Sequence, residues 1–97
     1  MDIEKDLQRI CDALHVDVCV IKSRNKTQEV CDKRTAIVYA MLSTGFYGIA
    51  DVCKAVERDR SSVLACIRRV NAWSAPRIYY NQMRFVDTAI KILNERE

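Results

Sequence analysis

The stretch IADVCKAVERDRSSVLACIRRV, Ile49 to Val70, decides how the rest of the chain is read. Ile49, Val52, Cys53 and Val56 stand at offsets 0, 3, 4 and 7, and Val63, Cys66, Ile67 and Val70 repeat those offsets. Such spacing puts each set on one face of a helix with 3.6 residues per turn. Asp51 and Lys54 fall outside the first helix, while Ser61, Ser62, Ala65, Arg68 and Arg69 fall on the far side of the second. Between them runs a polar turn, Glu57-Arg58-Asp59-Arg60. Two short helices joined by a tight polar turn outline a helix-turn-helix. The second helix begins near Arg60 and ends at Ser74-Ala75-Pro76, because proline cannot continue it.

Upstream, Ser43-Thr44-Gly45 closes another helix, with Gly45 supplying the left-handed residue that ends it. Its inward residues are Ile37, Ala40 and Met41, and Asp32 reads as its N-cap. A strand over Thr35 to Tyr39 competes, and the capping signals decide for helix. Lys22 to Glu29 contains no apolar residue and reads as an exposed basic loop, preceded by a brief alternation over Val16 to Ile21. Ile3, Leu7, Ile10, Cys11 and Leu14, at offsets 0, 4, 7, 8 and 11, form the stripe of a first amphipathic helix. Downstream, Ile78, Gln82, Phe85, Ala89, Ile92 and Leu93 line one side of a last helix over 77–95. The expectation is an all-α compact helical bundle, one domain over 1–97. Its C-terminal helix either packs on the core or pairs two subunits, which leaves monomer and dimer both open.

Composition narrows the function classes. Hydrophobic residues at 49% and charged residues at 30%, with two Gly and one Pro, belong to a folded helical chain and not a disordered one. No apolar run is long enough for a bilayer, so no membrane partner is expected. The chain opens with Asp2, Glu4 and Asp6 where a secretory leader would be basic, which points to the cytoplasm. Five cysteines, an odd number scattered through apolar segments, predict reduced and mostly buried thiols and no disulfide framework. A zinc site from Cys11, His15, Cys19 and Cys31 would lack any C-x-x-C pair, and neither metal nor cofactor is expected. His15 is the sole histidine, and no Ser or Cys sits in a nucleophile's context, so the chain does not read as an enzyme.

The net charge of +3 is held in the middle of the chain. Lys22, Arg24, Lys26, Lys33 and Arg34 oppose only Glu29 and Asp32; Lys54, Arg58, Arg60, Arg68 and Arg69 oppose only Glu57 and Asp59. A recognition helix needs small polar residues near its N-terminus so that its backbone can approach base edges while donors reach into the groove. Arg60, Ser61 and Ser62 meet that need. A solvated face with Asp59 or Ser61 as a plain N-cap accounts for these residues equally well until the whole pattern is compared.

That pattern resembles the C-terminal, origin-box-binding domain of the bacterial replication initiator DnaA. The family signature R-D-H-[ST]-T-V-L-H-A-C-[RK]-[RK]-I is similar to Arg58-Asp-Arg-Ser-Ser-Val-Leu-Ala-Cys-Ile-Arg-Arg-Val70. The family's L-P-E-I-G-x-A-F helix looks like Ile49 to Val56, and its S-K-R-R…V-x-R-P-R loop is similar to Ser23-Arg-Asn-Lys…Val30-Cys-Asp-Lys-Arg34. The resemblance spans residues 10–73 and implies a helix-turn-helix related to that of the Trp repressor. It also implies roles. Arg60 and Ser61 would contact bases, and Asp59 would help with base or cap contacts. Arg24 or Lys26 would enter the minor groove, where a narrow A·T-rich groove concentrates negative potential. Arg34, Arg58, Ser62, Arg68 and Arg69 would hold phosphates.

Two departures stand out. Arg60 replaces the family's usual His, which changes the expected target, since Arg pairs with guanine in bidentate fashion. The turn is one residue shorter, with Glu57 in place of a glycine. The chain also lacks the phosphate-cradling G-x-x-x-x-G-K loop of the family's ATPase. The expectation is a stand-alone, sequence-specific protein of double-stranded DNA, suited to a phage or mobile element, acting in replication control or transcription. The alternative is a helical protein-interaction adaptor that keeps the fold without binding DNA.

Overall fold

A helix hydrophobic on one stripe needs one neighbour, but a helix hidden on every side needs several, and one such helix organises this chain. The computed structural model describes residues 2–74 and 79–95. Among them are six helices and no strand: α1 (Ile3–Ala13), α2 (Val18–Lys22), α3 (Gln28–Ser43), α4 (Ile49–Val56), α5 (Arg60–Trp73) and α6 (Tyr80–Asn94). The all-α bundle expected from the sequence is the observed architecture. No helix of the described residues is long and apolar enough to cross a membrane.

Helix α3 is the axis. It packs against α6 and α5 most extensively, and also against α4 and α2. Asp32 to Val38, Ala40 and Met41 are all buried, so its apolar residues show no single stripe. This corrects the expected start of the helix. Asp32 is not its N-cap; the helix begins one turn earlier, at Gln28 after Thr27, and Asp32 lies inside it, 6% exposed. The Asp32 carboxylate instead accepts from Gln28 Nε2 at 2.7 Å and Gln82 Nε2 at 3.2 Å, which ties α3 to α6. The far end is as expected: Gly45 sits at φ +78 just past the helix.

Helix α1 is capped by Asp2, whose Oδ1 accepts from Glu4 N at 3.0 Å. It buries Leu7, Ile10 and Cys11 completely and ends at exposed His15, which adopts φ 58. The segment read as a brief alternation contains α2, a single turn too short to show helical periodicity; Asp17 caps it and Ile21 anchors it. Helix α6 completes the core through Val86, Ala89 and Leu93, so its apolar side is covered by α1 and α3. Ile78, expected on that helix, and the expected helix stop at Ala75-Pro76 lie outside the described residues. A second, smaller cluster of Ala36, Val70, Trp73 and Val86 fastens the end of α5 to α3 and α6.

Candidate nucleic-acid interface

The helix-turn-helix is made by α4, α5 and a three-residue turn, 57–59. Glu57 takes the left-handed conformation, φ 54 and ψ 50, and the Arg58 N–H bonds back to Cys53 O at 3.0 Å, closing α4. A side chain there costs about 1–2 kcal/mol that glycine would not. Asp59 then caps α5: its Oδ1 accepts from Ser62 N at 2.8 Å. Hydrogen bonds from the Ser62 hydroxyl and backbone N–H hold the Asp59 carboxyl below the usual aspartate range. Of the two roles expected for Asp59, the structure displays the cap. Arg60, Ser61, Ser62, Arg68 and Arg69 are exposed along α5.

The basic loop is ordered from within and from two sides. Asn25 N donates to Ser23 Oγ at 3.1 Å, and Thr27 donates through N and Oγ1 to Asn25 Oδ1, both at 2.9 Å. From α3, Arg34 donates Nε to Ile21 O at 2.8 Å and Nη2 to Val20 O, Ser23 O and Asn25 O at 3.2–3.4 Å. From the turn, Arg58 donates Nη1 to Lys22 O at 3.3 Å and Nη2 to Ser23 O. The two guanidiniums thus share one carbonyl, that of Ser23.

Arg34 and Arg58, both expected to hold phosphates, are engaged in the structure by carbonyls of the loop. Arg34 is 8% exposed, and burial, followed by the charge of Arg58, lowers the proton affinity of its guanidinium. Its donors are spent on carbonyls left open at the end of α2 and in the loop. Both arginines build the loop, and both also line the cleft beside it.

What the two clamps leave outward is Arg24 and Lys26. These face α5 across an open cleft of about 790 Å³ whose α5 wall includes Ser62 and Arg69 and whose rim carries Glu57 and Asp59. Arg24, Lys26, Arg60, Arg68 and Arg69 form no ion pair among the described residues. The pairs that do form neutralise cations elsewhere: Arg9 with Asp6, Lys22 with Glu4, Lys33 with Glu29, and Lys91 with Glu95. Lys33 is also buried, its ammonium 5.6 Å from the Phe85 ring centre.

One residue of α5, half-buried Leu64 on the side of the helix away from this cleft, escaped the sequence reading. Leu64 lies four residues from both Arg60 and Arg68 and belongs to neither apolar cluster. The signal was its i−4 and i+4 spacing from two outward cations.

The cysteines divide. Cys11 and Cys66 are buried, Cys31 and Cys53 half-buried and Cys19 exposed, so fewer are buried than the sequence suggested. Burial, with Asp12 and Asp17 nearby, pushes the Cys11 thiol up to about 11, and burial raises Cys66 too. Among the described residues no group of three or more His, Cys, Asp or Glu is placed to hold a metal ion. No protein-family model, no curated protein and no solved structure matches the chain.

Proposed function

We propose that this protein binds double-stranded DNA sequence-specifically, with α5 in the major groove and the loop carrying Arg24 and Lys26 on the adjoining backbone or minor groove. One observation carries the reading: five exposed cations without carboxylate partners gather on the loop and α5, around a helix whose N-terminal residues are small and polar. Unpaired cations gathered around one helix and its neighbouring loop suit a polyanion, and release of its condensed counterions supplies the affinity. The free N–H groups at the start of α5 add to the attraction for phosphate. Arg60 supplies direct readout through bidentate donation to guanine O6 and N7.

The resemblance to the initiator's box-binding domain extends this proposal to replication or transcription control in a phage or mobile element. Binding is the whole activity proposed.

Selection from a random duplex pool tests the reading. Arg60→Ala should relax the preference at one base pair, and Arg24→Ala should weaken binding. Unchanged affinity and preference in both variants would remove the proposed reading surface. The exposed Glu57 carboxylate on the rim favours one rival, an adaptor for a basic protein partner. That rival wins if a partner captured from extract survives nuclease while purified duplex fails to bind at moderate salt.

A further inference from the structure

Resting on the duplex-binding reading above, we propose that Leu64 is a specificity-determining residue that packs against the C5 methyl group of a thymine in the major groove. The buried side of α5 is formed by Val63, Cys66, Val70 and Trp73. At about 100° per residue, Leu64 points well away from that side, between Ser61 one turn before it and Arg68 one turn after. Of the five leucines, Leu7, Leu14 and Leu93 are buried in the core and Leu42 packs against it. Leu64, half-buried, is the one leucine that joins neither apolar cluster, as Ile67 of the same helix also does not.

The surroundings name the occupant. Arg60 and Arg68 flank Leu64 on the same helix face, and neither has a carboxylate partner among the described residues. They demand an anionic surface, while Leu64 demands an apolar group held within it. The floor of the major groove offers that combination: phosphates on both walls and, on the base edges, the thymine methyl as its apolar feature. Arg60 and Leu64 are separated by about 6 Å along the helix axis. That is about two base steps of roughly 3.4 Å. The thymine therefore lies within about two base pairs of the guanine that Arg60 addresses.

The test uses the full chain and the duplex enriched from a random pool, with each thymine replaced in turn by deoxyuridine, which removes the methyl and keeps the Watson–Crick pairing. One or two replacements should weaken the wild-type protein about fourfold each. Leu64→Ala should bind the thymine and deoxyuridine duplexes alike, closing the cycle; alanine favours helix, so the variant keeps its helical circular dichroism. If no deoxyuridine position weakens the wild type, or if Leu64→Ala retains the penalty, Leu64 does not read thymine, and duplex binding stands without it. A pool that yields no enriched duplex brings down the duplex-binding reading first, and the role of Leu64 with it.

Discussion

The two basic stretches, 22–34 and 54–69, look alike as text: five cations against two carboxylates in each. The fold treats them differently. In the first, Lys22 pairs with Glu4, Lys33 is buried beside Glu29 and Phe85, and Arg34 is enclosed by carbonyls, so only Arg24 and Lys26 remain outward. In the second, Arg58 is committed to the loop, whereas Arg60, Arg68 and Arg69 stand exposed on one helix. A run of cations therefore mixes scaffold with surface, and the sorting is done by carbonyls contributed from other segments.

The largest expected effect separates scaffold from surface. Arg34→Ala leaves several carbonyls without donors in a buried site and should lower stability by about 3 kcal/mol, read by urea unfolding. Arg34→Lys should recover little, since one ammonium cannot span the same acceptors. A variant as stable as wild type would erase the distinction between the two kinds of cation.

Arg60→Ala should do the reverse. Its stability should stay within about 0.5 kcal/mol of wild type. Its affinity for the selected duplex should fall by about 2 kcal/mol, with discrimination lost at one base pair. Titration at fixed salt checks both halves of that statement.

A smaller effect sharpens the contrast within the surface set. Arg69→Ala should weaken binding equally across sequences and reduce the log–log salt slope by about 0.9, the signature of one phosphate contact. A slope that does not change removes Arg69 from the interface.

The smallest effect concerns the cap. Because the folded carboxyl of Asp59 titrates below its unfolded value of about 3.9, its contribution is present above that pH and is lost as the pH falls through the folded value. Asp59→Ala should thus be less stable than wild type by a constant amount at neutral pH, and the gap should close in strong acid. A gap that widens on acidification would contradict the cap.

Helices α4 and α5 were legible in the sequence because each has one buried stripe and a polar far side, so period and caps agree. Helix α3 was legible only at its glycine end. Its start was misread because Thr27 makes no side-chain capping bond, and because Asp32, Lys33 and Arg34 look exterior yet are buried by neighbours far along the chain. Helix α2 holds five residues, fewer than periodicity can register. On the candidate site, the exposed Arg60, Ser61 and Arg68 followed from helix phase alone. The scaffold duty of Arg34 and Arg58 did not, since their acceptors lie 9–14 and up to 36 positions away, respectively. Leu64 was hidden by its type, because a leucine in an amphipathic helix is ordinarily assigned to the core.

The carbonyl of Ser23, gripped by guanidiniums from both α3 and the turn, makes the loop and the helix-turn-helix one rigid caliper. Its jaws are held at a set gap instead of being joined by a slack tether, so under the proposed duplex binding, closing one would bring the other to its mark without a second entropic toll. A caliper of fixed gap also measures: it should favour groove spacings that match it, and lengthening the loop by a residue or two would alter which duplexes fit before it altered how firmly any one jaw holds.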